Sequence, residues 1–263
     1  MSGKEIRIER ILDRNTKKAV VVPLDHGVSM GPIPGIVDLK DTVDKVAEGG
    51  ATAVIEHKGA IPYGHRALGR DVGLIVHMSA SSSLSVDPNS RVLVCEVTEA
   101  LKMGADAVSI HVNIGADTEA DMLRDFGYVS RECTEWGMPL IAMVYPRGQK
   151  IKDSFDVDMI KRCARIAQEL GADIVKTSYT GDIDTFKEVT KGVSIPVLVA
   201  GGPQMSSTRE ILQMVRDSID AGASGTSIGR NVFQHENVVG ITKAISGIVF
   251  NDLNVDEAMK FLE

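Results

Sequence analysis

A glycine-alanine pair recurs four times along this chain, each time after a helical pattern and just before a short apolar run. The pairs are Gly50-Ala51, Gly104-Ala105, Gly171-Ala172 and Gly222-Ala223, and successive pairs lie 54, 67 and 51 residues apart. Because glycine just past a helix adopts the left-handed conformation that ends it, each pair predicts a turn from a helix into a strand. The spacing is too long for one strand–helix unit and fits two.

Strand-like runs also occur between these turns, at residues 19–25, 74–79, 139–146 and 197–202. The chain then holds eight strands, each followed by a helical segment, which predicts an α/β fold of the (β/α)₈ TIM-barrel type. The alternative is an open doubly wound sheet, but the early G-x-G-x-x-G fingerprint that often marks such a sheet is absent from the sequence.

Helical patterns lie between the strands, at residues 39–48, 91–103, 119–136, 156–170, 182–191, 208–221 and 236–248. Residues 1–14 are expected to cap the bottom of the barrel, and residues 255–262 are expected to form a C-terminal helix. With neither linker nor low-complexity tract in the sequence, we expect residues 1–263 to form a single barrel domain.

Charge and cysteine content narrow the function classes. A net charge of −7 without any basic run argues against nucleic acid or an anionic membrane surface as a partner. The N-terminus lacks the apolar core of a signal peptide, and no apolar run approaches the ~20 residues of a membrane span. Three widely spaced cysteines argue against a disulfide framework or a zinc site and favour a cytoplasmic location.

Lys176 is the first candidate for a catalytic residue, because it lies within an apolar strand. Burial disfavours the charged ammonium and so lowers the pKa of a lysine, and a neutral amine can form a Schiff base with a carbonyl substrate. The structural alternative is a lysine paired with an acidic neighbour. Lys58 is a rival nucleophile, but Glu56 on the same strand is available to pair with it.

Asp25 and Tyr145 are candidates for proton transfer. In a barrel of this kind the active site lies at the carboxyl ends of the strands, and both residues lie at such ends. Tyr145 ends the strand next to that of Lys176, so the two side chains are expected near the same carbonyl carbon. The alternatives are that Asp25 caps a turn and that Tyr145 belongs to the core.

The last two strand ends are rich in glycine, with Gly201 and Gly202 after the seventh strand and Gly229 before Arg230 after the eighth. Such glycines allow backbone N–H groups to approach a phosphate, and Arg230 and Arg147 add positive charge. The alternative is that the glycines only make tight turns.

Histidines at three further strand ends support a competing mechanism. His57, His77 and His111, together with Asp25, offer ligands for a divalent metal that would polarise a carbonyl. No H-x-x-x-H or C-x-x-C spacing supports such a site, so we expect neither a metal nor another cofactor.

These motifs together resemble the archaeal-type class I aldolase family over essentially the whole chain. The stretches that carry the resemblance are residues 23–32 (PLDHGVSMGP), 145–148 (YPRG), 174–182 (IVKTSYTGD), 200–203 (AGGP) and 229–231 (GRN). The resemblance implies a homo-oligomeric barrel, decameric in known members. It also implies a Schiff base on Lys176, with Asp25 as the proton acceptor and Tyr145 as the proton donor.

The resemblance further implies the substrate-binding residues, namely Asp25, His26, Gly27, Val28, Ser29, Tyr145, Pro146, Arg147, Lys176, Gly201, Gly202, Gly229 and Arg230. The expected substrates are a phosphorylated keto-sugar and a small aldehyde. In the transaldolase branch, a three-carbon unit passes from 6-deoxy-5-ketofructose 1-phosphate to L-aspartate semialdehyde, and the product feeds the synthesis of 3-dehydroquinate and aromatic amino acids. A sister branch, class I fructose-bisphosphate aldolase, shares nearly all of these residues and stays open, as do a metal-dependent aldolase and a non-enzymatic sugar-phosphate binder.

Overall fold

The computed structural model describes residues 3–64, 72–203 and 205–263. Its centre is a closed barrel of parallel strands: β1 (Ala19–Pro23), β2 (Ala53–Glu56), β3 (Gly73–His77), β4 (Ala107–Ile114), β5 (Leu140–Pro146), β6 (Ile174–Thr177), β7 (Val197–Ala200) and β8 (Gly225–Ser227). Neighbours in the chain are neighbours in the barrel, and β8 closes the ring on β1. The predicted (β/α)₈ barrel is confirmed.

The barrel interior is filled by alternate residues of the strands. One buried cluster contains Val21, Ile55, Ile75, Ile141 and Ile174, with further members from other strands. The residues between them, such as Val20 and Val175, face the surrounding helices and belong to a second buried cluster. This two-residue alternation decides which side chains can reach the mouth of the barrel.

The helices of the described residues are α1 (Gly3–Ile8), α2 (Gly27–Met30), α3 (Leu39–Glu48), α4 (Val97–Lys102), α5 (Glu119–Trp136), α6 (Val157–Glu169), α7 (Ile183–Lys191), α8 (Thr208–Asp220), α9 (Arg230–Phe233), α10 (Val238–Asn251) and α11 (Val255–Met259), with 3₁₀ turns at Ile61–Tyr63 and Lys260–Leu262. The side chains of Asp38, Asp156 and Asp182 cap the helices that follow them. Each accepts a hydrogen bond from a backbone N–H that the helix itself leaves without a partner.

The predicted helix at residues 91–103 is wrong in its first half. Val92–Leu93 instead pairs with Ser79–Ala80 in a two-stranded antiparallel hairpin, and only α4 is helical. The backbone N–H of Val94 donates to the carbonyl of Met78 at 2.9 Å, so this segment satisfies its polar groups against the chain after β3. We call residues 79–93 the hairpin insert.

Two further differences concern short elements. Between β2 and β3 a helical segment was predicted, but the described residues there contain only the 3₁₀ turn Ile61–Tyr63, and residues 65–71 lie outside the described part. The short helix α2 has no counterpart in the sequence prediction. At the bottom of the barrel, Ile11 and Leu12 pack into the interior cluster.

No helix within the described ranges is both long and apolar enough to cross a membrane. Cys95, Cys133 and Cys163 are all free thiols and all buried.

Candidate active site

A cavity of about 520 Å³ opens at the carboxyl ends of the barrel strands. All but one of the predicted substrate-binding residues line it, and the exception is Gly27, the first residue of α2. The cavity therefore brings together residues at the carboxyl ends of β1, β5, β6, β7 and β8, as the strand order predicts.

Lys176 lies on β6 and points into the barrel. It is aligned with Met143 of β5 and Leu198 of β7, and its side chain is 7% exposed. Burial lowers the pKa of Lys176 to about 8, with Asp25 acting in the opposite direction and Arg147 adding to the decrease. At pH 7 roughly one Lys176 in ten is then a neutral amine, compared with about one in a few thousand for an exposed lysine.

Asp25 follows β1 and reaches the same cavity, with a side chain that is 18% exposed. Its Oδ2 lies 3.7 Å from His77 Nε2, and its Oδ1 lies 3.8 Å from His26 Nδ1. Burial alone would raise the pKa of Asp25, but attraction to His77, His26 and Lys176 outweighs it and lowers this pKa to about 2. Asp25 is therefore a carboxylate at neutral pH, and its Oδ1 accepts no hydrogen bond from the described residues.

Tyr145 lies on β5 two residues beyond Met143, the partner of Lys176 in the sheet. Two-residue alternation therefore puts the phenol and the amine on one inward face, with Tyr145 nearer the mouth. Burial raises the pKa of Tyr145 well above its ordinary value, and the opposing effect of Arg147 does not cancel this. The phenol stays protonated at neutral pH and can donate a proton.

Close packing explains the glycines at the last two strand ends. A methyl group on Gly201 would come within 2.7 Å of Ile228 Cγ2, and one on Gly229 within 2.6 Å of His26 Cε1. The side chain of Asn231 ties the two loops together by donating to the carbonyl of Gly201 at 2.9 Å. The loops after β7 and β8 therefore pack closely together where they line the cavity beside Arg230.

The histidines at the other strand ends have polar neighbours of their own. His77 Nδ1 lies 2.8 Å from Ser109 Oγ, and His111 Nε2 lies 2.8 Å from Asn113 Oδ1. Burial lowers the pKa of His77 to about 4, so it is neutral at pH 7. Within residues 3–64, 72–203 and 205–263, no three histidine, cysteine, aspartate or glutamate side chains are grouped so as to hold one metal ion.

The expected pairing of Lys58 with Glu56 is wrong. Lys58 Nζ lies 2.9 Å from Glu99 Oε1, whereas Glu56 is fully buried and neither of its carboxyl oxygens has a hydrogen-bond partner in the described part of the chain. The reason is that β2 ends at Glu56, so Lys58 lies beyond the strand and its side chain reaches Glu99 of α4 instead.

Sequence reasoning missed Arg91, which lines the cavity from the hairpin insert. The helical pattern at residues 91–103 predicts instead that Arg91 lies on a helix outside the barrel. The available signal was length, because the connection between β3 and α4 is far longer than the 2–6 residues that usually join a strand to its helix.

A closed (β/α)₈ barrel with a buried, partly neutral lysine beside a carboxylate and a phenol defines the class of Schiff-base aldolases. The chain belongs to the DeoC/LacD aldolase family, since the model of the DeoC/LacD family aldolase matches residues 19–235. It is a class I enzyme of this family, and the resemblance found in the sequence is confirmed.

Two curated relatives and one solved structure illustrate the similarity. The 2-amino-3,7-dideoxy-D-threo-hept-6-ulosonate synthase 1 of Archaeoglobus fulgidus is 42% identical over 99% of this chain and 96% of its own. The 2-amino-3,7-dideoxy-D-threo-hept-6-ulosonate synthase of Halobacterium salinarum is 38% identical over 98% and 96%. A Schiff-base-forming fructose-1,6-bisphosphate aldolase superposes with a TM-score of 0.87, at 30% identity over 94% of this chain and 100% of its own.

Proposed function

We propose that this protein is a transaldolase-type transferase of the lysine Schiff-base class. It moves a three-carbon unit from 6-deoxy-5-ketofructose 1-phosphate to L-aspartate semialdehyde, giving 2-amino-3,7-dideoxy-D-threo-hept-6-ulosonate and hydroxypyruvaldehyde phosphate. The product serves 3-dehydroquinate and aromatic amino acid biosynthesis. The observation that carries the proposal is the buried Lys176, with a pKa near 8, in a chain 42% identical to a synthase of this name.

In the first half-reaction, Lys176 Nζ attacks the C5 ketone of the donor, and loss of water gives an iminium. The C3–C4 bond then breaks, and its electron pair moves toward the iminium nitrogen to form an enamine of the C4–C6 fragment. Asp25 takes the proton of the C3 hydroxyl, whose oxygen becomes the aldehyde oxygen of the departing hydroxypyruvaldehyde phosphate.

In the second half-reaction, the enamine carbon attacks the aldehyde carbon of L-aspartate semialdehyde, and a new carbon–carbon bond forms. Tyr145 donates its proton to the alkoxide that develops on the former aldehyde oxygen, and the proton that Asp25 took in the first half-reaction returns to the phenolate through water. Water then hydrolyses the iminium, which balances the water lost in the first half-reaction and restores the amine of Lys176. No metal or other cofactor takes part in this sequence.

Class I fructose-bisphosphate aldolase activity is the second candidate. The observation that favours it is the TM-score of 0.87 to a Schiff-base-forming aldolase of that specificity. The same Lys176, Asp25 and Tyr145 would cleave fructose 1,6-bisphosphate without an acceptor. Assaying both substrate sets in the presence of EDTA decides between the two. Turnover of the bisphosphate without use of aspartate semialdehyde would reverse the ranking, and loss of activity in EDTA would favour a metal-dependent aldolase.

The proposed enzyme acts in the cytoplasm as a homo-oligomer of single-domain barrels. A decamer of the 28.3 kDa chain has a mass of about 283 kDa. Light scattering at several protein concentrations measures this mass directly, and a stable 28.3 kDa species at all of them contradicts the oligomer.

A further inference from the structure

The hairpin insert holds one arginine at the cavity through backbone hydrogen bonds. Arg91 Nη1 donates to the carbonyls of Pro88 and Ser90, the latter at 2.8 Å. Asn113 of β4 donates to the carbonyl of Asn89 at 2.7 Å and so fastens the same loop to the barrel. The guanidinium group is thus oriented by backbone carbonyls, which leaves its charge without a counter-ion at these contacts.

A second guanidinium group, that of Arg147, borders the same part of the cavity. Its Cζ lies 4.8 Å from the centre of the Tyr145 ring. In the part of the chain that the structure describes, neither Arg91 nor Arg147 forms an ion pair with a carboxylate. Burial and then repulsion from Arg147 lower the pKa of Arg91, against the weaker attraction of Asp87 and Asp25. Two unneutralised positive charges that converge on a cavity form a site for an anion.

This pair lies on the opposite side of Lys176 from the glycine-rich strand ends. The strand order around the barrel is β5, β6, β7, β8, so Lys176 on β6 separates Arg147 after β5 from Gly229 and Arg230 after β8. The three-carbon fragment that stays bound to Lys176 carries no anion, so an anion held by Arg91 and Arg147 belongs to the fragment on the other side of the bond that breaks and forms.

The leaving fragment and the acceptor occupy the side of Arg91 and Arg147 one after the other. Each carries an anion at a similar distance from its aldehyde carbon. In hydroxypyruvaldehyde phosphate two carbons and the ester oxygen separate the aldehyde carbon from phosphorus, and in L-aspartate semialdehyde two carbons separate it from the carboxylate carbon. We propose that Arg91 and Arg147 form one anion site that is used twice in each turnover. It holds the phosphate of the donor until the leaving fragment departs, and it then holds the carboxylate of the acceptor. This assignment rests on the proposed function.

The test is Arg91→Met, with Arg209→Met as the matched control, because Arg209 is an exposed arginine paired with Asp256 on the outside of the barrel. The values of kcat/KM for the phosphorylated donor and for L-aspartate semialdehyde are both expected to fall about 10- to 100-fold, as for the loss of one charge-assisted contact. Hydroxyacetone carries no anion, so its borohydride-trapped adduct on Lys176 is expected to form equally well in Arg91→Met, Arg209→Met and the wild type.

A decrease for only one of the two substrates overturns the shared site, and a decrease for neither overturns the role of Arg91. Absence of the hydroxyacetone adduct in the wild type contradicts the proposed function itself, which separates the two failures. If Arg91→Met does not fold, the substrate preference of the wild type still tests the proposal. It must prefer L-aspartate semialdehyde to propanal, which lacks the carboxylate, by at least about tenfold in kcat/KM, and Arg91→Lys must retain part of that preference. Equal use of the two aldehydes overturns the proposal.

Discussion

Asp25 and Lys176 face the same cavity from β1 and β6, and each changes the pKa of the other. Burial makes the lysine easier to deprotonate, whereas the carboxylate attracts its ammonium and limits this effect. The balance is a pKa near 8 for Lys176, beside an aspartate that is already ionised. The nucleophile and the base are therefore both available close to neutral pH.

The first prediction concerns the pH dependence of the reaction. The reactive form of Lys176 is the neutral amine, so kcat/KM for the donor is expected to rise with pH and to level off above about 8. Asp25→Asn removes the carboxylate whose attraction raises the pKa of Lys176 against the effect of burial, so the inflection of the pH profile is expected to move below 8. The same substitution removes the proton acceptor, so kcat is expected to fall about 100-fold or more. A profile with an unchanged inflection in this variant would show that the two residues are not coupled.

Tyr145 is predicted to act after the Schiff base has formed. Tyr145→Phe removes the proton donor and is expected to lower kcat by about 100- to 10,000-fold. Trapping of hydroxyacetone on Lys176 is expected to remain efficient. Tyr179→Phe is the control, because Tyr179 lies after the same strand as Lys176 but packs edge-on against Phe186. Equal rates for the two variants would contradict the role of Tyr145.

The loop after β8 is predicted to tolerate no side chain at Gly229. In Gly229→Ala the new methyl group would clash with the ring of His26, so this ring must shift. We expect kcat/KM for the donor to fall about tenfold, since the His26 ring lines the cavity and can no longer keep its place there. Gly127→Ala in α5 is the control, because its methyl group meets no neighbouring atom within 4 Å. An unchanged kcat/KM for the donor in Gly229→Ala would contradict the close packing of Gly229 against His26.

Glu56 is predicted to make stability depend on pH. Burial raises the pKa of this carboxyl to about 7, above its ordinary value of 4.5. The folded protein then binds the proton more tightly than the unfolded chain, so the free energy of unfolding decreases as pH rises from about 4.5 to 7. Glu56→Gln removes this decrease, and the variant is expected to gain at most about 3 kcal/mol relative to wild type between pH 4.5 and pH 8.

Denaturant unfolding of Glu56→Gln and wild type at pH 4.5 and pH 8 measures this effect, with Glu135→Gln on the exposed face of α5 as the control. A difference between Glu56→Gln and wild type that is the same at both pH values would contradict the linkage.

Local sequence signals predicted those parts of the fold that local chemistry determines. The helices α3 and α5 have the predicted bounds, and the glycine-alanine turns place the strands correctly because capping depends only on neighbouring residues. The hairpin insert was missed, because Val92–Leu93 becomes a strand only by pairing with Ser79–Ala80. Arg91 was missed with it, since its place in the cavity is set by long-range contacts.

The candidate site was predictable to the extent that strand ends identify it. Lys176 and Tyr145 followed from alternation and from the order of strands in a barrel. The ion-pair partner of Lys58 could not be predicted in this way, because the choice between Glu56 and Glu99 depends on how α4 packs. The distance between His77 and Asp25 likewise depends on the register of separate strands, which no local pattern specifies.

The central claim is that Lys176 forms the Schiff base, and borohydride trapping tests it most directly. The enzyme is incubated with 6-deoxy-5-ketofructose 1-phosphate, reduced with borohydride and digested with a protease. Mass spectrometry then measures the mass of each peptide that contains a lysine. We predict a reduced three-carbon adduct on the peptide that contains Lys176, its loss in Lys176→Met and its retention in Lys58→Met. An unmodified Lys176 under turnover conditions, or an adduct that survives in Lys176→Met, would contradict the account.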